Sequence, residues 1–344
     1  MIRLPGKAIV YRDFKASFWF IPIFFVELLL VYSWDFIRDN NVDLEIGSFN
    51  DSRTIVALLI LSFTMLFMSA VLFHYEKCFT YHTLSASMPF SKSEIIISKW
   101  FVGVYNITIS FSAFYVVLNC MLIRNYVWKR FIVDTTMWYI AAMLLTIFIF
   151  GLMIMFQSAN GSTWLGGVIT FLCAAAPVTV LSVIYVIGCK YFFSTQIPTI
   201  FGGQMFKNIW YRFYKGIFFI IGMDFDNNFY PLSYLNKSSS VRFGETMIRC
   251  MIYIVLIVIV FFISVHLFKK SRYEKMGHIA SVGGMEKFYR GVISYSSSFL
   301  LFVVVLAIED NIRLDWAVLF CIIIPTLVYF SLGRIIRRYN SRMS

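Results

Sequence analysis

The stretch that decides the fold is "WFVGVYNITISFSAFYVVLNCMLI", residues 100–123, in which no side chain is charged. An α-helix rises about 1.5 Å per residue, so about 20 apolar residues cross the hydrocarbon layer of a bilayer. In lipid, every backbone amide needs a hydrogen-bond partner within its own segment, and a helix provides one. Residues 100–123 therefore predict a transmembrane helix.

The rest of the chain repeats this pattern. Of its 344 residues, 60% are hydrophobic and 14% are charged, and the mean hydropathy is +0.76. A soluble protein of this length cannot bury so many apolar side chains. Eight stretches are long and apolar enough to span a membrane: 16–34, 54–75, 100–123, 136–157, 164–189, 246–268, 293–309 and 315–333. We therefore predict an all-α polytopic membrane protein with eight transmembrane helices.

The distribution of charge predicts the orientation. The net charge is +12, and the basic residues lie at the ends of apolar stretches rather than along one polar face. This is typical of the cytoplasmic loops of membrane proteins and argues against nucleic-acid binding. The loop between the third and fourth spans disagrees, because it carries Arg124, Lys129 and Arg130. The predicted inner segments 1–15 and 269–292 and the basic C-terminal end outweigh it, so both termini are expected inside the cell.

The sequence also predicts local structure in two segments outside the spans. Residues 1–15 place Ile9, Val10 and Phe14 among basic residues, which predicts a short helix on the inner membrane surface. The alternative is a disordered basic tail. Residues 190–245 form a long, rather apolar outer loop containing "GIFFIIGM" (216–223), which is too short to span. Such a segment re-enters the membrane or caps a cavity.

Recognisable catalytic motifs are absent from the sequence. It has no G-x-x-x-x-G-K-[ST] phosphate loop, no H-E-x-x-H and no G-x-S-x-G, and its cysteines form no C-x-x-C pair. We therefore expect no enzymatic activity, cofactor or metal ion on this chain. Three polar residues inside the spans, Glu27, Asn106 and Arg249, are candidates for an intramembrane function. Asparagine at such a position more often hydrogen-bonds a neighbouring helix.

A polar insert precedes the third span. In "SMPFSKSEIIISKW" (87–100), Ser91-Lys92-Ser93-Glu94 follows Pro89 and Phe90 and reads S-x-x-E. This is a capping box, in which the serine and glutamate side chains bond each other's backbone amides. It predicts that a helix begins near Lys92 and continues into the third span, forming a helical corner on the cytoplasmic side.

The stretch "LSASMPFSKSEIIISKW" (84–100) resembles the L-P-x-S-R/K-x-E-x-x-x-S-K segment in permease subunits of ABC-2 type transporters. In that family it is a coupling helix that docks on a separate ATPase subunit. The N-terminal helix, the inner turn at 158–163 and the outer loop are also similar, so the resemblance covers about residues 1–268. "LFKKSRYEKMGHIA" (267–280) and the two spans after it resemble the eight-span variety of Gram-positive bacteria. Tyr273 stands where serine is usual, and Met88 where leucine is usual.

This resemblance implies the membrane subunit of an ATP-driven exporter in a bacterial plasma membrane. The expected cargo is hydrophobic or amphipathic, such as a peptide antibiotic or an envelope component. ATP and magnesium would be bound by a partner ATPase dimer, and a second permease, the same chain or a related one, would complete the path. The implied coupling residues are Met88, Pro89, Phe90, Ser91, Lys92, Ser93 and Glu94.

The expected domain organisation has four parts. They are an interfacial helix at 1–15; a six-span domain at 16–268 with coupling segment 84–99 and outer loop 190–245; a basic cytoplasmic loop at 269–292; and two further spans with a basic tail at 293–344. Two other functions remain open. A carrier driven by an ion gradient would depend on Glu27, whereas a membrane sensor or accessory subunit would bind its ligand at the outer loop.

Overall fold

The computed structural model describes residues 5–38, 51–77, 90–124, 128–161, 239–271, 285–308 and 323–343, with residues 167, 170, 172 and 319. Within these ranges the chain forms eight helices and no strand. They are α1 (Lys7–Ser17), α2 (Phe20–Arg38), α3 (Asp51–Lys77), α4 (Lys92–Arg124), α5 (Trp128–Ala159), α6 (Ser239–Lys270), α7 (Met285–Ile308) and α8 (Ile324–Met343).

Three helical segments are long and apolar enough to cross a membrane: Lys92–Arg124, Thr135–Ala159 and Thr246–Lys270. Two shorter apolar helical segments are Phe20–Leu30 and Ile324–Ile336. The predicted all-helical class is confirmed for the described residues, and the long apolar helices are those of a membrane protein. The predicted fifth span, 164–189, and the segment 216–223 lie outside the described residues, apart from 167, 170 and 172.

The first predicted span, 16–34, is wrong at its start, because α1 ends at Ser17 and α2 begins at Phe20. Proline explains the break. In one continuous helix, Pro22 would clash with the Phe18 carbonyl and leave it without a donor. Pro22 instead lies in the first turn of α2. Backbone N–H groups in a first turn have no intrahelical acceptor, so the missing N–H of proline costs no hydrogen bond there. The span therefore corresponds to α2 alone, and the N-terminal helix runs two residues beyond the predicted 1–15.

Other helices are longer than their apolar stretches. α6 begins at Ser239, inside the predicted outer loop 190–245, and α7 begins at Met285, inside the predicted loop 269–292. α8 continues to Met343 through the predicted tail. Apolar composition predicts only the part of a helix that lies within the hydrocarbon layer. Once a helix is nucleated, each further residue adds a backbone hydrogen bond at little cost, so these helices continue into polar sequence.

α4 lies at the centre of the bundle and packs against α1, α2, α3, α5 and α6. Two glycines let α4 and α5 approach closely. A Cβ at Gly103 would lie 2.0 Å from the Phe150 ring, and one at Gly151 would lie 2.5 Å from the Trp100 ring. Small residues at such crossings allow close backbone packing in membranes. Trp100 Nε1 also donates to Ser264 Oγ at 2.7 Å, which ties α6 to the same contact.

The helix ends assemble at one end of the bundle, which we call the base. The start of α4 meets the last residues of α3, α5 and α6 there. The joining pairs are Lys99 with Glu76, Lys77 with the Gln157 carbonyl, Lys92 with the Ser271 carbonyl, and Phe73 with Phe268. Away from the base, the Tyr115 hydroxyl on α4 lies 2.7 Å from Thr136 Oγ1 on α5, whereas Gly103, earlier on α4, meets Phe150, later on α5. These two helices are therefore antiparallel.

α7 packs against the end of α5 at the base, and α8 packs against α7. Phe156 stacks on Phe288 with ring centroids 6.3 Å apart, and the buried Tyr289 hydroxyl donates to the Phe156 carbonyl at 3.4 Å. Gly333 on α8 makes room for Arg290, whose guanidinium would lie 2.8 Å from an added Cβ. The start of α7 and the later part of α8 therefore lie beside the end of α5.

Candidate functional site

Four charged side chains, three of them buried, form a ring at the base, which we call the charge network: Arg12, Asp13, Glu76 and Lys99. Arg12 donates to Asp13 Oδ1 at 2.8 Å and to Glu76 Oε1 at 2.6 Å. Lys99 Nζ lies 2.8 Å from Glu76 Oε2 and 3.8 Å from Asp13 Oδ1. The side chains of Asp13 and Glu76 are 1% exposed and that of Lys99 is not exposed at all.

The network tolerates burial because each of its charges lies beside a charge of opposite sign. An isolated charge in an apolar interior is very costly, whereas a paired and hydrogen-bonded one is not. Burial by itself lowers the pKa of Arg12, but Glu76 and Asp13 attract and hydrogen-bond its cation, so the net pKa is raised. The Arg12 guanidinium also lies 5.4 Å from the centre of the Tyr75 ring, a cation–π distance. The network therefore joins α1, α3 and α4 through ion pairs.

Neutral side chains extend the network along α1. Ser98 Oγ donates to Asp13 Oδ2 at 2.8 Å, and Ser17 Oγ donates to the Asp13 carbonyl at 2.9 Å. Asn106 Nδ2 then donates to Ser17 Oγ at 3.0 Å and to the Ser17 carbonyl at 3.1 Å. Asn106, predicted to have an intramembrane function, thus anchors the end of α1 to α4. The second half of α1 is therefore held by the central helix.

Side chains also satisfy the helix ends at the base. The last carbonyls of a helix have no intrahelical donor and need one from elsewhere. Lys77 Nζ donates to the Gln157 carbonyl at 2.6 Å, near the end of α5, and lies 5.0 Å from the centre of the Phe73 ring. Thr170 Oγ1 donates to Gln157 Oε1 at 3.2 Å and accepts from Asn160 Nδ2 at 3.0 Å.

The predicted capping box is confirmed. The Glu94 amide donates to Ser91 Oγ at 3.3 Å, and the Ser91 amide donates to Glu94 Oε2 at 3.0 Å. α4 begins at Lys92, as the motif predicts, and runs without a break into the third span. We call residues 90–94 the corner. Met88 and Pro89, the first two predicted coupling residues, lie outside the described residues.

The corner contacts helices on two sides. The Phe90 ring packs on Gly6 at the start of α1, where an added Cβ would lie 3.1 Å from it. Lys92 Nζ donates to the Ser271 carbonyl at the end of α6. Ser91 is exposed and Ser93 is buried, while the other three side chains are half-buried. The corner is therefore a packed part of the base with an accessible tip at Ser91.

The three predicted intramembrane residues lie on three different helices, Glu27 on α2, Asn106 on α4 and Arg249 on α6. Glu27 accepts from Thr64 on α3, and its other oxygen, Oε2, makes no hydrogen bond to a described residue. Asn106 bonds Ser17 instead. Arg249 is buried on α6, with 4% of its surface exposed. Of the three, only Asn106 adjoins the charge network.

Sequence reasoning missed the network itself. Its four residues sit at the edges of apolar stretches, where charges are usually solvated: Arg12, Asp13, Glu76 and Lys99. A signal was present at two of these edges, where opposite charges are adjacent: Arg12-Asp13 and Glu76-Lys77. Lys99 is also followed directly by the apolar third span. Adjacent opposite charges of this kind mark residues that could form ion pairs, but they do not identify the partners.

Among the described residues, no three His, Cys, Asp or Glu side chains are grouped so that they would hold a metal ion. Comparison of the chain with protein-family models, with curated proteins and with solved structures finds no match. The function is therefore argued from the geometry of the base and the sequence motifs.

Proposed function

We propose that the chain is the membrane-spanning permease subunit of an ATP-driven transporter of the ABC-2 type, whose separate ATPase docks at the corner. One observation carries this proposal. α4 begins at the corner with a capping box and continues as a single helix of 33 residues through the centre of the bundle. Such a helix is about 50 Å long, enough to carry movement from the base across the membrane.

The charge network supports this role by coupling the corner to its neighbours. Phe90 packs on Gly6 of the N-terminal segment, and Lys99, two turns into α4, pairs with Glu76 of α3. Close-packed interiors have low compressibility and transmit displacement. An ATPase that moves the corner therefore moves α1 and α3 with it, and α2 follows α1 across the short break at 18–19.

Helix directions support eight spans with both termini inside. α5 and α6 both end at the base, so the chain changes side between the end of α5 and the start of α6. A fifth span at 164–189, as the sequence predicts, would account for this change. α7 begins at the base and α8 returns to it. We place the base in the cytoplasm, since the basic segments 1–15 and 269–292 adjoin it.

The proposed setting follows from the same assignment. The protein acts in a bacterial plasma membrane as an exporter of a hydrophobic or amphipathic compound, with a second permease subunit beside it. It is not itself an enzyme, because the partner ATPase dimer binds ATP and magnesium. The predicted spans contain many aromatic side chains, which suit such cargo.

Co-purification from native membranes tests the proposal. The intact chain is compared with Phe90→Asp/Glu94→Arg and with a control, Lys269→Glu/Lys270→Glu, which changes two exposed charges at the end of α6. We expect mass spectrometry to find an ATPase with the intact chain and the control, and to lose it with the corner variant. Phe90 packs on Gly6, so its replacement also removes a packing contact. Each protein must therefore first elute as one monodisperse species, which shows that the corner variant is folded.

Absence of any ATPase from the intact preparation would contradict the proposal. Recovery with all three proteins would contradict the placement of the contact at the corner.

A second candidate, a carrier driven by an ion gradient, is favoured by one observation. Glu27 is a half-buried carboxyl group inside the predicted first span, with Oε2 free of hydrogen bonds from described residues. Intramembrane carboxyl groups often relay protons or bind ions. This candidate predicts proton uptake by proteoliposomes without an ATPase and its loss in Glu27→Gln. The permease proposal predicts no uptake in either protein.

A further inference from the structure

We propose that the groove between α1 and α4 binds an anionic phospholipid, with one acyl chain in the groove and the headgroup beside Lys7. This inference does not depend on the proposed transport function. The groove has a volume of about 380 Å³ and is lined by residues that include Lys7, Val10, Phe14, Phe101 and Tyr105. This volume lies in the lower part of the range for small-molecule sites, about 300–1,000 Å³, and suits part of one lipid.

The walls of the groove are apolar and aromatic. Phe101 and Tyr105 lie one turn apart on α4 with stacked rings 6.4 Å apart, and the Phe14 ring meets Tyr105 edge-on at 5.8 Å. Phe101 is 59% exposed and Tyr105 is 45% exposed, so the groove opens on the outside of the bundle. In a membrane protein, an apolar groove on this surface is filled by acyl chains.

The charges of α1 favour an anionic headgroup. Arg12 and Asp13 point into the charge network and neutralise each other there. Lys7 lines the groove and is exposed, and none of the groove's lining residues is acidic. An exposed lysine near a bilayer surface favours anionic lipid by about 1 kcal/mol, or about fivefold in affinity.

Aromatic residues indicate that the groove lies at the membrane–water interface. Tyr11 lines it and is 68% exposed, and Trp19, in the short break after α1, is 65% exposed. Tyrosine and tryptophan concentrate at headgroup level, where the ring is buried and the polar atom is hydrated. Phospholipid is the abundant amphiphile at that level, which selects it over a second copy of this chain or a peptide.

Native mass spectrometry of the purified full-length chain in detergent tests the site. Phosphatidylglycerol and phosphatidylcholine with identical acyl chains are titrated separately. Lys7→Gln removes the groove charge, Lys15→Gln removes an exposed charge of α1 outside the groove, and Val10→Trp fills the groove. We expect one phosphatidylglycerol to bind the intact chain about fivefold more tightly than phosphatidylcholine. Lys15→Gln should keep this preference, Lys7→Gln should abolish it, and Val10→Trp should lose both lipids from this site.

Equal affinity of the intact chain for the two lipids would overturn the proposal, as would an unchanged preference in Lys7→Gln. Loss of the preference in Lys15→Gln as well would indicate general surface attraction and would also overturn it. Lys7 is exposed, so its variant gives a decisive result even where Val10→Trp does not fold.

Discussion

At the scale of single residues, Glu76 accepts Arg12 on one oxygen and pairs with Lys99 on the other, with 1% of its side chain exposed. Glu76→Gln keeps the side-chain volume but leaves the buried Lys99 and the partly buried Arg12 with Asp13 as their only carboxylate in the network. Breaking a buried pair by removing one partner costs about 3–5 kcal/mol. We expect the free energy of unfolding, measured in mixed detergent micelles, to fall by about this amount.

The matched control is Glu286→Gln, which removes the ion pair of Glu286 with Arg290 one turn away. The Glu286 side chain is 33% exposed and that of Arg290 is 12% exposed, so water screens this pair more than the network and its loss should cost less. If Glu76→Gln destabilises the protein no more than Glu286→Gln, the charge network does not hold α1, α3 and α4 together.

Gly103 tests the packing of α4 on α5. The alanine methyl group in Gly103→Ala would lie 2.0 Å from the buried Phe150 ring, so the ring must shift. Overpacking of this kind costs about 1–3 kcal/mol. Gly244→Ala on α6 adds a methyl group with nothing within 4 Å and should stabilise its helix by about 0.5–1 kcal/mol. The same unfolding assay should give opposite signs, and a Gly103→Ala variant that is as stable as the intact chain would contradict the close contact.

At the scale of elements, the start of α4 depends on its cap. Ser91→Ala removes the acceptor for the Glu94 amide, and loss of such a cap costs about 1 kcal/mol. We expect amide hydrogen exchange in the first turn of α4 to speed up, while Ser91→Asp, which can still accept this bond, keeps the slow rate. Unchanged exchange in Ser91→Ala would mean that the cap does not order this turn.

The start of α4 was predictable because a capping box is local, with Ser91 and Glu94 three residues apart. Apolar composition likewise predicted the helices that cross the bundle. The pairing of Arg12 with Glu76 was not predictable, since the two are separated by 64 positions and only tertiary packing brings them together. The break before α2 was missed because Pro22 lies inside an apolar run, and composition alone does not locate the turn.

At the scale of the whole molecule, the contacts place the start of α1 and the end of α6 together at the base, and the end of α4 at the opposite end. Cysteine labelling tests this topology in a background without the native cysteines. We expect Lys15→Cys and Lys270→Cys to react with an impermeant maleimide only in inside-out vesicles, and Arg124→Cys only from outside. All three positions are exposed. Labelling of Lys15→Cys and Lys270→Cys from opposite sides would contradict the arrangement.

The most direct test of the central claim is site-specific photo-crosslinking at Ser91, the exposed tip of the corner. A photoreactive residue at position 91 is activated in native membranes, with position 124 at the opposite end of α4 as the control. We expect a covalent adduct with a nucleotide-binding ATPase at position 91 and none at position 124. An ATPase adduct that is absent at 91, or equally abundant at 124, would contradict the docking of an ATPase at the corner.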